Sequence, residues 1–315
     1  MPPGLSVLTF PRGRHLRKSC AEKPLHILYA PQQPPRKPRT EGSQEVVPAS
    51  GAHGHEGLHG AKENADPQRR PSSPNLTGGS PLQLTPASFK VLTFDVVGTL
   101  IDFETGLTNG LQAIAEESGV DLDGEAALAL YGECRRDHRA GKFPDDLARC
   151  YQIIAARFGL PPGDTQGARM VEAVAASPAF PDSVAALKRL GQHFRLVAMT
   201  NAQRWAFERF STALADPFWK SFTTDDTGTE KPDPAFFEHV FADLSGDGIA
   251  KADILHVAQS QYHDIGISRR LGLTNCWIER RHGRAGYGGT IAPESFTEPD
   301  FHFTSLAALA EAVEA

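Results

Sequence analysis

Cysteine is scarce and scattered. Cys20, Cys134, Cys150 and Cys276 are the four thiols of a 315-residue chain, and no two share metal-ligand spacing. So few cysteines in so long a chain do not make a disulfide framework; they read as reduced thiols in a cytoplasmic protein. Long apolar runs are missing too. None approaches the roughly 20 residues of a membrane span, so no membrane partner is expected. Basic charge is not in excess: the formal net charge is −6, and nothing global favours nucleic acid or an anionic membrane. Methionine is absent between Met1 and Met170. What is present is ordinary: 40% hydrophobic and 22% charged residues, the balance of a globular protein able to bury a sizeable core.

Residues 1–86 stand apart. They are rich in Pro, Gly, Ser, His and Arg, and stretches 31–38 and 50–60 show neither helical nor strand period. Such a segment buries too little apolar area to offset its ordering entropy, so a disordered extension is expected. Three roles compete for it. A targeting peptide suits the many Arg and Lys of the first forty residues, where Glu22 is the sole acid, but Pro breaks the short apolar run that a secretory signal needs. A regulatory tail is the second. The third is upstream sequence carried in the reading frame, with a non-Met start near residue 85. The misplaced start or a dispensable tail is favoured over targeting.

Order begins near Phe89. Lys90-Val-Leu-Thr-Phe94 is an apolar, β-branched run ending at Asp95, which reads as a buried parallel strand. Residues 105–177 are helical in pattern: Leu107, Leu111, Ile114 and Ala115 share one face, Leu128, Leu130, Tyr131 and Cys134 another, and Leu147, Tyr151, Ile154 and Phe158 a third. Asp182 is placed to cap a helix carrying Val184, Leu187 and Leu190. Strands and helices then alternate. Strands fall at 194–199, near Phe222, at 254–258 and at 275–278, with helices at about 204–214, 233–241 and up to Leu271. That alternation implies an α/β fold, a parallel sheet with helices on both faces. Sites in such sheets lie outside the carboxyl ends of the strands. The rule nominates Asp95, Thr200, Asn201 and the loop from Gln259 to Asp264 together.

The same residues sit in recognisable runs. Phe94-Asp95-Val96-Val97-Gly98-Thr99-Leu100 places an acid, a turn glycine and a hydroxyl after the first strand, as an exposed carboxylate nucleophile requires. Val197-Ala-Met-Thr200-Asn201, Lys231-Pro-Asp-Pro and His256-Val-Ala-Gln259-Ser260-Gln261-Tyr-His263-Asp264 follow in order. Each is explicable alone: Thr200 as a helix cap, Lys231 as a solvated loop residue, His263 as a surface histidine. Together they resemble the four motifs of the haloacid dehalogenase (HAD) superfamily over residues 89–310. The resemblance implies a Rossmann-like core, 87–104 with 178–315, and a helical cap, 105–177, inserted after the first strand. It implies Asp95 as nucleophile.

Two departures from the phosphatases of that family narrow the chemistry. The acid that protonates their leaving alkoxide, two residues after the nucleophile, is here Val97. The first acid of their fourth motif is here Gln259, leaving Asp95, the Val97 main chain and Asp264 as the only candidates for Mg²⁺. Halide leaves without a proton and an alkyl halide carries no phosphoryl charge. The chain therefore resembles the type II (L-2-haloacid) dehalogenase branch, with no cofactor required. That resemblance implies attack by Asp95 on C2 of a small 2-haloacid, with Lys231 holding Asp95 ionised and Asp264 pairing with Lys231 and helping to activate water. Thr99 and Thr200 orient the carboxylate and bind substrate, Asn201 lies at the halide, and Gln259, Ser260 and Gln261 line the substrate loop. It leaves room for a homodimer.

The branch's tyrosines are here Val97 and Phe237, and its cap arginine is Gly132. Arg135, Arg136 or Arg139 could substitute, against a slightly favoured reading as a solvated helix face. A Mg²⁺-dependent phosphatase acting on a small ester, and a non-catalytic binding protein, are the alternatives. The Gly-rich stretch 283–289 reads as a surface loop or a lid.

Overall fold

The computed structural model describes residues 84–85 and 87–315, all within the compact unit Asn75–Ala315. The disorder expected of the N-terminal extension falls, apart from 84 and 85, outside the described residues.

Strand β1 (Val91–Phe94) is buried along its whole length, as suits the centre of a parallel sheet. Four helices follow: α1 (Phe103–Ser118), α2 (Gly124–Arg136), α3 (Leu147–Phe158) and α4 (Asp164–Ala175). Their apolar faces meet, α1 against α2 and α4, α3 against α2 and α4. Leu107, Leu111, Ile114, Leu128, Leu147 and Ile154 are all buried there.

The chain then alternates through α5 (Ser183–Leu190), β2 (Arg195–Met199), α6 (Arg204–Ala213), β3 (Lys220–Phe222), α7 (Thr224–Thr227), α8 (Pro234–Gly246) and β4 (Ile254–Ala258). A π-helical turn, Gln261–Ile265, leads into α9 (Gly266–Arg270), β5 (Thr274–Ile278), β6 (Phe301–Phe303) and α10 (Leu306–Glu314).

The six strands lie in the order β3-β2-β1-β4-β5-β6, every pair parallel. Alternate side chains feed opposite faces. Leu92, Phe94, Leu196, Leu255 and Val257 join the core under α5 and α10, while Val91, Val197, Met199 and Ile254 join Phe236, Phe237, Val240 and Leu244 of α8. The α/β fold with helices on both faces is thus observed. The chain runs outward from β1 to β2 and β3, then returns to the other side of β1 for β4, β5 and β6. That reversal lies at the carboxyl end of β1, where open α/β sheets bind their ligands.

β6 and α10 are not anticipated from sequence. β6 is three residues long, too short to show alternation. Alanines dilute the stripe of Leu306, Leu309 and Val313 in α10.

Asp182 also departs from its expected role. It makes no capping bond to α5. Its carboxylate accepts from the backbone N–H of Leu306 (2.8 Å) and Ala307 (3.2 Å) and pairs with Arg280 (2.8 and 2.9 Å). It caps α10 instead, tying the last helix to the sheet. Asp182→Ala leaves those donors and Arg280 without their acceptor, and should lower the unfolding free energy by about 1–2 kcal/mol, measured by urea denaturation.

Candidate active site

β1 delivers Asp95 at its carboxyl end, and a tight turn follows. Gly98 sits at φ 90, a conformation costly to any residue with a side chain. The turn brings Thr99 back so that its hydroxyl donates to Asp95 Oδ2 at 2.6 Å. Thr99 Oγ1 in turn accepts from the Gln259 N–H at 2.8 Å, which fastens the turn to the end of β4.

The other nucleophile oxygen, Asp95 Oδ1, accepts from Lys231 Nζ at 2.9 Å. Lys231 also donates to Asp264 Oδ1 at 2.6 Å and to the Met199 carbonyl at 2.8 Å, so its three N–H donors are matched by three acceptors. Asp264 Oδ1 lies 3.0 Å from His256 Nε2, and His256 Nδ1 lies 2.9 Å from Thr93 Oγ1. Asn201 fixes the backbone that carries the lysine: its Oδ1 accepts from Lys231 N at 2.7 Å and its Nδ2 donates to Lys231 O at 2.8 Å. One continuous buried chain therefore runs Thr93–His256–Asp264–Lys231–Asp95–Thr99.

The electrostatics follow from sharing one cation between two acids. Burial pushes Asp264 up, but Lys231 and His256 outweigh it and hold the carboxyl down to about 2. Asp95 has less help. Burial raises it, Lys231 opposes, the charge of Asp264 raises it further, and the balance is upward. Burial works against the Lys231 ammonium, yet the two carboxylates hold its pKa above the usual lysine value.

Asp95 opens onto a cavity of about 350 Å³. Asn201, Gln259 and Ser260 line it with Asp95 and Lys231, as expected. Thr200 and Gln261 do not. The Thr200 hydroxyl is taken up by the turn into α6, accepting from Ala202 N at 3.1 Å. The Gln261 side chain turns away instead, its Oε1 accepting from Thr297 N at 3.0 Å. Asp264 is sealed beneath the lysine with no exposed surface and does not line the cavity; its Oδ1 is taken by Lys231 and His256, and its Oδ2 is buried without a partner.

Other lining groups escape the sequence reading. Arg135 faces the cavity while bound to Asp146 at 2.6 Å, which overturns its reading as a solvated helix residue. Arg136 instead holds the Ala292 carbonyl, and Arg139 pairs with Asp137 at the surface. Glu230, raised chiefly by burial, lies 3.6 Å from Arg135. Tyr131, assigned to core packing by its helical spacing, reaches the cavity wall. His263 is a wall residue too. The Gly-rich stretch is a wall as well as a loop: Gly289, Thr290 and Ile291 line the cavity. It is clasped to the helical block by Arg281, which bonds Glu104 of α1 and Glu125 of α2. Glu230 could have been found only from its place beside Lys231, whereas His263 already belongs to the nominated Gln259–Asp264 loop and the fourth motif run.

A family model for haloacid dehalogenase-like hydrolases matches residues 89–265, more than half of the chain. This protein belongs to that family of hydrolases. Solved structures share its fold. The L-2-haloacid dehalogenase of Xanthobacter autotrophicus is 20% identical over 72% of this chain and 99% of its own, with a TM-score of 0.58. A defluorinating L-2-haloacid dehalogenase is 19% identical over 75% and 100%, TM-score 0.59. A magnesium-bound HAD hydrolase of Bacillus subtilis is 18% identical over 72% and 99%, TM-score 0.59. At these identities the likeness shows the fold alone. No curated protein matches this chain.

The residues of this HAD hydrolase do not suit a resident Mg²⁺. The ion prefers several hard, anionic oxygen ligands. Asp264 is closed off from the cavity, Gln259 supplies no charge, and Lys231 already neutralises one of the two carboxylates. Adding a divalent ion would leave the buried cluster with net positive charge. Among the described residues no cluster of three His, Cys, Asp or Glu could hold a metal, and no helix is long and apolar enough to cross a membrane.

The raised carboxyl of Asp95 has a kinetic signature. Only the ionised form is a nucleophile, so activity is absent at low pH and appears as pH rises through the Asp95 pKa. The acid limb of kcat/KM, which reports the free enzyme, should therefore fall above the ordinary carboxylate range. A midpoint at or below 3.8, the ordinary value, would contradict the electrostatic picture.

Proposed function

We propose that this HAD hydrolase is a metal-independent dehalogenase that converts small 2-haloacids to 2-hydroxy acids. The observation that carries the reading is Asp95, paired with Lys231 and facing a partly open cavity in which the position for a leaving-group acid holds Val97. A phosphate monoester needs a proton for its alkoxide and a counter-charge for its phosphoryl oxygens. A haloacid needs neither, because halide departs as a stable anion.

The reaction has two steps. An Asp95 carboxylate oxygen bonds to C2 of the substrate as the carbon–halogen bond breaks, inverting the centre and giving an ester and a halide ion. Water then adds to the Asp95 carboxyl carbon, the acyl–oxygen bond breaks, and the 2-hydroxy acid leaves with one proton released. Asn201 Nδ2 carries two N–H groups. One is given to the Lys231 carbonyl, and the other is available to the departing halide. Arg135 supplies the cation for the substrate carboxylate. Helices α1–α4, acting as a cap over the core, and the wall formed by Gly289–Ile291 keep bulk water from Asp95. The substrate is the partner this reading requires; a cytoplasmic setting, read from the thiols, and a homodimer, read from the family resemblance, belong to the same proposal.

One observation favours a second reading. Glu230 lines the cavity with its carboxyl pushed upward by burial, and is the one carboxyl on the wall besides Asp95 and Asp233 that could take the acid's place left empty by Val97. A phosphatase acting on a small ester would use it.

Halide release from L- and D-2-chloropropionate and from haloacetates, in EDTA, separates the two. The wild type should release halide, with the L enantiomer preferred, and Asp95→Asn should release none. No release from any haloacid, with phosphate released from esters when Mg²⁺ is added, would replace the first reading by the second. Arg135→Gln should raise KM for a haloacid by roughly tenfold to a hundredfold, the worth of one charge-assisted hydrogen bond, with kcat less affected. An unchanged KM would remove Arg135 from carboxylate capture.

A further inference from the structure

Asp264 does not face the cavity, its Oδ1 held by Lys231 and His256 and its Oδ2 buried without a partner, so the water step calls for a base on the cavity wall. The geometry points to His263 as the base that activates water for hydrolysis of the Asp95 ester. This rests on the two-step reading above and names the group that completes it.

His263 stands in the π-helical turn after β4, beside the strand end whose Gln259 N–H fastens the Asp95 turn. Its imidazole lines the same cavity as Asp95. Ser260 fixes the ring: Ser260 Oγ accepts from the His263 backbone N–H at 2.9 Å and lies 3.0 Å from Nδ1. The ring tautomer sets the direction of that contact; with the proton on Nδ1, the form the proposal takes, Ser260 Oγ accepts it. Nε2 is then the basic nitrogen. It has no protein partner among the described residues and is not among the sealed, unpartnered polar atoms, so its lone pair is open to the cavity.

The charges around the ring are Asp264 on the same turn, Lys231 below it and Arg135 from α2. Burial and the two cations outweigh Asp264 and lower its pKa to about 4. The ring is therefore neutral near pH 7 and enters the step as an acceptor. Nε2 takes a proton from water as the oxygen adds to the Asp95 carboxyl carbon. The proton passes to the leaving alkoxide when the acyl–oxygen bond breaks, giving the hydroxy acid and the Asp95 carboxylic acid, which releases the remaining proton to restore the carboxylate. Glu230 is the rival base in this cavity, but its nearest cation, Arg135, is the one proposed to hold the substrate.

The test is rapid-quench halide release with intact-protein mass measurement, for the wild type, His263→Gln, His263→Asn, Ser260→Ala and Glu230→Gln, with L-2-chloropropionate in excess. The His263 variants should release about one equivalent of halide, keep the ester on Asp95, and then turn over slower by roughly 10²–10⁴-fold. The single equivalent itself shows that the site has folded. Ser260→Ala, which keeps the ring but frees Nδ1, should slow the second step alone. Turnover at the wild-type rate in both His263 variants overturns the proposal, as does ester accumulation in Glu230→Gln but not in them. Loss of the first equivalent with an unchanged melting temperature assigns His263 to the first step and overturns it too. A wild type that releases no halide instead sinks the dehalogenase reading on which the proposal rests.

Discussion

The site depends on one ammonium shared between two carboxylates. Lys231 is almost wholly buried, and a charge removed from water this far is tolerable only when paired and fully hydrogen-bonded. Its three acceptors, Asp95, Asp264 and the Met199 carbonyl, meet that condition. They also make the arrangement hard to disturb: removing one partner of such a buried pair costs about 3–5 kcal/mol, because the remaining charge stays uncompensated. The two acids do not benefit equally. Asp264 has His256 as a second donor and remains firmly ionised, while Asp95 has Thr99 and a view of the cavity. The cluster thus contains one acid that anchors the lysine and one that can be spent on chemistry.

The sheet order is what brings these groups within reach. Asp95, Met199 and Asn201, and the Gln259–Asp264 turn stand at the ends of β1, β2 and β4, three adjacent strands from distant parts of the chain. Lys231 comes from the loop ahead of α8, and Asn201 clamps its backbone from the end of β2. Polar residues inside the sheet serve the same end. Thr93 and His256 occupy strand positions that face α8, where their neighbours are aliphatic or aromatic. Phe237 meets the His256 ring edge-on at 5.5 Å, which leaves the imidazole only Thr93 and Asp264 for its two nitrogens. A histidine with both nitrogens so committed is rigid, and it passes that rigidity to Asp264 and so to Lys231.

Much of this was legible in the sequence, for a physical reason. Strand β4 has every residue buried, and its Ile-Leu-His-Val-Ala run announces a central strand whichever way it is read. Asp95, Thr99 and Asp264 follow strands in turn-rich sequence, and Lys231 precedes the proline-marked start of a helix. What stayed hidden depends on tertiary contact. Nothing local distinguishes Arg135, which faces the cavity, from Arg136 and Arg139, which do not; the difference is Asp146, on the far side of a loop, which draws Arg135 inward. Asp182 carries a good capping signature for α5, and loses that role to α10 and Arg280, partners more than ninety residues away. Thr200 and Gln261 occupy motif positions whose side chains a short turn and the Thr297 N–H, respectively, redirect.

The burial that raises Asp95 also makes it reactive. A carboxylate in water is a poor nucleophile toward an alkyl halide, because attack must first strip its hydration. In this cavity Val97, Phe103 and Ile291 form an apolar part of the wall, and Thr99 and Lys231 hold the carboxylate with two fixed donors. The same burial favours protonation, which would end nucleophilicity altogether. Lys231 resolves the conflict by adding a charge that favours the anion without donating a proton to it, since the ammonium's own pKa is held above the usual lysine value. In the proposed reaction, esterification would remove the charge of Asp95, and Lys231, still paired with Asp264, would no longer have to be shared. The lysine would then polarise the ester carbonyl it touches, so that on this proposal the second step meets an electrophile prepared by the same ammonium that favours the ionised nucleophile in the first.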